Sequence, residues 1–272
     1  MRRSWFAIPG LILAVAGVAC TGSPVMPSPS NLRRPLLLLS ERLETEHFVF
    51  YYSPGDRIDV DRSETYHRWA TAYLGVTVPR KIEYYKYRQI EDMTCTDSHP
   101  SSECVQLGAI GMANSSLARI YTSYTWHPHE CFHIYTKQIG GPPTFFNEGM
   151  ATAHIVDPFN NDFVPRSNSA PGSEPLADAA ARLYASGQLV PVETLLTGPA
   201  WGKAPSWISY PEAGSFVRHL VDAYGLERMK EVFRTIPYAD PPEVILTKFE
   251  GIYGMSLQAA ESEWHAFLAR LR

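Results

Sequence analysis

The chain has 272 residues, 45% of them hydrophobic and 19% charged, with a formal net charge of −4. That balance belongs to an ordinary globular protein and leaves no basic footprint, so nucleic acid is excluded as a partner. About 235 residues remain once an amino-terminal leader and a proline-rich stretch are set aside, enough for one sizeable core or two intimate subdomains.

Residues 1–19 read as a secretory signal peptide. Met1-Arg2-Arg3 is a positive head, Trp5 to Val18 is almost wholly apolar, and small residues follow. About 14 apolar residues are too few for a bilayer-crossing helix. Gly17-Val18-Ala19-Cys20 resembles the lipobox of bacterial lipoproteins, which implies lipidation of Cys20 and a membrane contact through that lipid alone. Gly17 departs from the pattern, and cleavage after Ala14-Val15-Ala16, releasing a soluble secreted protein, is the competing reading. Both readings export the chain, the first to the outer face of a bacterial membrane. Residues 20–36 form a Pro/Ser-rich tether with little to bury, and the folded domain is expected over 37–272.

Glu46 to Tyr52 is aromatic and β-branched, ends in Ser53-Pro54-Gly55-Asp56, and reads as a strand and turn. From Arg62 to Leu74 the residues Tyr66, Trp69, Ala70, Tyr73 and Leu74 recur at helical spacing, and Gly75 stops the run. Lys81 to Tyr87 is a second strand. In an oxidising compartment Cys95 and Cys104, which bracket a polar loop, are disulfide candidates; a second metal site using His99 lacks enough spaced ligands. Leu107 to Gly111 and Ala118 to Ser123 form an expected hairpin.

The stretch His129-Glu130-Cys131-Phe132-His133 follows. On a helix, residues i and i+4 lie one above the other, so both imidazoles reach a single metal ion. Glu130 then stands beside the water that a zinc ion polarises, the place of a general base. Cys131 falls off that face and reads as a buried, inert thiol. Gly140-Gly141-Pro142-Pro143 is a helix stop and turn. A second helix starting near Thr144 returns antiparallel and presents Glu148 as a third ligand, which leaves the fourth position of a catalytic zinc open. Helices are expected over Asp178–Ser186, Pro211–Tyr224, Leu226–Ile236 and Leu257–Leu271, which makes the half from about 125 helical and the half from 37 to 124 sheet-rich. His127, His154 and His219 are read as structural.

With Asn147-Glu148-Gly149-Met150-Ala151 beside the His-Glu-Cys-Phe-His motif, the chain resembles the gluzincin metallopeptidases, and among them the peptidase MA-like proteins of bacteria, over most of residues 44–270. The resemblance implies an α+β, zincin-like fold: an N-terminal mixed sheet with an edge strand over the active-site helix, then a mainly helical half. It implies one Zn2+ held by His129, His133 and Glu148, Glu130 as general base, and a peptide or protein substrate added to the edge strand by main-chain hydrogen bonds. Tyr210, in Ser209-Tyr210-Pro211-Glu212-Ala213-Gly214, matches the tyrosine that stabilises the oxyanion in aminopeptidase N relatives. Gly108-Ala109-Ile110-Gly111-Met112 lacks the glutamate that holds a free amine in those enzymes, so endo- and exo-cleavage both stay open. The alternative is a catalytically inactive surface lipoprotein that binds zinc or a peptide.

Overall fold

Alternation along three short strands decides which way the sheet faces. The computed structural model describes residues 39–93 and 110–271. Its strands are β1 (Glu41–Glu44), β2 (Phe48–Tyr52), β3 (Ile82–Lys86), β4 (Gly111–Asn114) and β5 (Arg119–Thr122), in the order β1-β2-β3-β5-β4. The inner pairs β2–β3 and β3–β5 are parallel, while β1 and β4 lie antiparallel on the two edges. Phe48, Phe50, Ile82, Tyr84 and Ile120 point to the helical side and are fully buried there. The residues between them, Tyr51, Tyr85 and Tyr121, are aligned by register on the other face and stack at 4.9 and 5.0 Å. Cross-strand aromatic pairs of this kind stabilise a sheet by about 0.2–1 kcal/mol each.

Parallel neighbours need a crossover, and between β2 and β3 it is helix α1 (Val60–Leu74). Asp59 starts α1 by accepting from the Arg62 N–H at 3.2 Å, and Gly75 ends it in the left-handed conformation. After the short α2 (Ile90–Met93) and the β4–β5 hairpin come α3 (Pro128–Thr136) and α4 (Thr144–Thr152). Then follow α5 (Leu176–Ala185), the single turns α6 (Val192–Leu195) and α7 (Gly198–Trp201), α8 (Ser206–Tyr224), α9 (Leu226–Thr235), α10 (Pro242–Tyr253) and α11 (Leu257–Ala269). The fold is therefore α+β, with every described strand ahead of residue 123. One hydrophobic core joins the inner sheet face to α1, α3, α4 and α8. Among the described residues no helix is long and apolar enough to cross a membrane.

Several boundaries differ from expectation. The hairpin's first strand begins at Gly111, where the expected one ends, and residues 107–109 lie outside the described residues. Helix α8 starts at Ser206, so Pro211 is inside it and Tyr210 no longer opens it. Strand β1 and helix α10 were not expected. The signal peptide, Cys20 and the tether, and the pair Cys95 and Cys104, all lie outside the described residues.

Candidate metal and catalytic site

Helix α3 is nine residues long and buried along its whole length. Cys131, Phe132, Ile134 and Tyr135 join the hydrophobic core, which turns His129, Glu130 and His133 to the opposite side. Pro128 at its first position needs no N–H partner and sets φ for the first turn. His127 just before it is anchored to β5, its Nδ1 lying 2.8 Å from the Thr122 Oγ1. Burial pushes the His127 imidazole well below its ordinary pKa, with repulsion from His129 and His133 added. Cys131 is a free, fully buried thiol whose pKa is raised by burial, which fits an inert packing role.

Helix α4 returns past α3 and brings Glu148 to the two histidines. His129 Nε2 lies 3.1 Å from Glu148 Oε2, His133 Nε2 lies 3.3 Å from the same oxygen, and the two Nε2 atoms are 3.1 Å apart. Ligand atoms 2.0–2.1 Å from a tetrahedral zinc are separated by about 3.3 Å, so this triangle has the size of one tetrahedral face. Two imidazole nitrogens and one carboxylate oxygen are also a donor set that suits a borderline cation such as zinc. The residues present thus fit a single metal ion.

Close approach of α4 to α8 makes that placement possible. A Cβ on Gly149 would fall 2.7 Å from both the Ala213 carbonyl oxygen and Val217 Cγ2, so only glycine fits next to Glu148. Tyr210 of α8 comes with it: its ring centroid is 5.7 Å from that of His129 and 5.3 Å from that of Trp201. Pro211 supplies no N–H to the fourth residue back, which interrupts the hydrogen-bond ladder beside Tyr210. One turn on from Glu148, Thr152 Oγ1 lies 3.4 Å from His129 Nδ1 and orients the far side of that ring.

Glu130 stands under the sheet edge. The Ala113 main chain of β4 lies close enough to its carboxylate to favour the charged form. A Cβ on Gly111 would lie 2.3 Å from the His127 ring and 3.0 Å from Glu130 Cγ; the strand can lie this low only because that position is glycine. Burial raises the Glu130 pKa, and neighbouring Glu148 adds to this while the histidines oppose it. For His133 burial acts downward, but the charge and hydrogen bond of Glu148 outweigh it and lift the imidazole to about 9, with Asn147 contributing. Glu148 is the mirror case: burial would raise it, and His133 and His129 instead hold it far below the usual carboxylate range.

The structure therefore brings together His129, Glu130, His133, Glu148 and Tyr210. His154 is elsewhere, on the core side of α3. Its ring stacks on Phe132 at 4.4 Å, its Nδ1 lies 2.8 Å from the Met150 carbonyl oxygen, and its Nε2 lies 3.2 Å from the Tyr73 hydroxyl. His219 is partly buried against Phe267. The sequence reading did not single out Thr152 or Ala113. Thr152 had a signal, since it is four residues from Glu148 and shares its helix face. Ala113 had none, because its contribution is a main-chain group. No family model, curated protein or solved structure matches this chain.

Proposed function

We propose that the protein is a zinc-dependent metallopeptidase of gluzincin type, exported and lipid-anchored through Cys20. The observation that carries this reading is the 3.1–3.3 Å triangle of His129 Nε2, His133 Nε2 and Glu148 Oε2 beside a buried Glu130. A mixed sheet with an antiparallel edge strand directly over the motif helix supports the zincin-like form of the fold.

His129, His133 and Glu148 would hold the ion. When bound, zinc supplies Lewis acidity, lowering the pKa of a coordinated water toward about 7 and polarising a carbonyl oxygen. Glu130 accepts the proton of the attacking water on its carboxylate and passes it to the leaving amine nitrogen. The Ala113 main chain beside Glu130 would help to hold its carboxylate in place. Strand β4 receives an extended substrate by main-chain pairing. Tyr210 stands where its phenol can donate to the oxygen that gains negative charge.

Metal analysis and peptide-library cleavage test this together. Purified wild type is expected to carry one zinc per chain and to cut peptides. Glu130→Gln keeps the zinc and loses about 10²–10⁴ in rate, the usual weight of a general base. Stoichiometric zinc with equal cleavage by both proteins would remove Glu130 from the mechanism, and absence of zinc would remove the proposal.

A further inference from the structure

A pocket of about 220 Å³ opens beside the candidate metal ligands, between the turn that follows β4 and the end of α3. Its wall includes His133 itself, Ser115 and Ser116, Lys137, Asn147 and Tyr238. Ligand pockets for whole small molecules run to about 300–1,000 Å³, so this one has room for a single side chain or terminal group.

Its chemistry is one-sided. No acidic residue lines it, while Ser115, Ser116, Lys137, Asn147 and Tyr238 do. A Cβ on Gly141 would lie 3.9 Å from Lys137 Nζ, which places the ammonium at the Gly140–Gly141 wall. Among the described residues no ion pair or side-chain hydrogen bond engages that ammonium. Most other lysines of the domain are paired, Lys86 with Asp56, Lys81 with Glu44, Lys230 with Glu227 and Lys248 with Asp240. Lys137 is solvent-exposed and shares this wall with Ser115, Ser116 and Asn147, one helical turn from His133; an unpaired ammonium so placed can receive an anion of carboxylate size.

The pocket also lies at the far end of the edge strand that would receive an extended substrate. Ser115 and Ser116 open the turn that directly follows Asn114, the last residue of β4. A peptide pairing antiparallel to β4 runs its N-terminal side toward Ser115 and Ser116, and a parallel one its C-terminal side. We infer that the pocket between Ser115–Ser116 and Lys137 is a subsite for a substrate carboxylate, and that Lys137 makes the protein prefer substrates carrying one close to the cut bond. The antiparallel arrangement, the commoner of the two, assigns that carboxylate to an Asp or Glu side chain on the N-terminal side of the bond. A free C-terminal carboxylate is the other source of the same chemistry. This inference rests on the peptidase reading only for the position of the cut bond.

The probes are N-acetylated, amidated alanine hexapeptides with a single Glu walked through the six positions, a Gln counterpart of each, and the all-alanine peptide with a free C terminus. Binding to the zinc-loaded Glu130→Gln full-length protein is read by calorimetry, and cleavage by wild type is read in parallel. One Glu peptide is expected to bind at least about tenfold tighter than its Gln counterpart, because ionised partners make the stronger hydrogen bonds. Lys137→Met should bring that ratio close to one, and Lys137→Glu should transfer the preference to a Lys-containing peptide. If Lys137 only stabilised the end of α3, neither ratio would move. Tightest binding by the free C terminus, lost in Lys137→Met, supports the subsite with the terminal group as its source. Equal binding of Glu and Gln peptides at every position, a preference that survives Lys137→Met, or no binding by any probe would overturn the inference. Selective binding without cleavage by wild type leaves the subsite standing and removes the peptidase; cleavage without any Glu preference does the reverse.

Discussion

Two groups of histidines and carboxylates have ligand atoms within 4.8 Å of one another among the described residues, and they differ in what else those atoms do. In the group of Glu46, His47 and Glu64 the hydrogen bonds are already closed. Glu64 Oε1 accepts from the Thr45 hydroxyl at 2.6 Å and the His47 N–H at 3.0 Å, while Oε2 meets His47 Nδ1 at 2.7 Å and the Arg68 guanidinium at 3.8 Å. Glu46 is exposed and stands 3.8 Å from His47 Nε2. In the group of His129, His133 and Glu148, two imidazole nitrogens from one helix converge on one oxygen from another, with a buried carboxylate alongside. A cation would displace satisfied hydrogen bonds in the first group and fill the meeting point of lone pairs in the second. Proximity alone therefore does not define a metal site; the other partners of the same atoms do.

The largest effect that separates the groups is metal content. His129→Ala should lower zinc affinity by more than about a hundredfold, since even outer partners of ligands are worth 10–100-fold. His47→Ala should leave one zinc per chain. Titration of both variants against a competing chelator checks this, and zinc lost from the His47 variant alone would invert the comparison.

Gly149→Ala comes next. The added methyl meets Ala213 and Val217 at 2.7 Å, overpacking that typically costs about 1–3 kcal/mol, and it pushes Glu148 off its line. Denaturant unfolding should show the loss, and zinc affinity should fall with it. No glycine marks a close approach in the Glu46 group, which lies on the β1–β2 turn and on α1. Thr152→Val removes only a 3.4 Å contact to His129 Nδ1, so a loss near tenfold in zinc affinity, with unchanged folding, is expected by the same chelator titration.

Much of this site was legible because its signals are local. The histidine pair needs only a helical period, and Gly140-Gly141-Pro142-Pro143 marks the stop before Thr144, where α4 does begin. Proline was the weaker guide. Pro211 reads as a first helical residue but sits inside α8, whose start follows Pro205, and Pro242 occupies the first position of α10, which was not expected. Strand β1 offers no alternation, since Glu41–Glu44 is exposed throughout. The Ala113 contact and the pocket at Lys137 depend on strand register and on a long-range turn, which no residue pattern encodes.

The smallest expected effect is the sign of the stability change with pH in the metal-free protein. In the group of His129, His133 and Glu148, burial acts downward on His133 but Glu148 outweighs it and raises the folded pKa to about 9, against an ordinary value of 6.5. The folded state then binds the extra proton, so this contribution is full below 6.5 and is lost as pH rises through 9. Beside the group of Glu46, His47 and Glu64, burial lowers His67 to about 4, with repulsion from His47 added. Here the unfolded state takes the proton first, so the contribution is present above 6.5 and is lost as pH falls toward 4. Each proton limits its slope to about 1.4 kcal/mol per pH unit. Urea unfolding between pH 4 and 9 should show both flanks, with His67→Phe flattening the acid side and His133→Gln the alkaline side. Zinc should reverse the first sign, because a ligand nitrogen must be deprotonated and affinity then rises with pH up to about 9. A zinc-loaded protein that still loses stability between pH 7 and 9 as steeply as the metal-free one would show that His133 is not holding the ion.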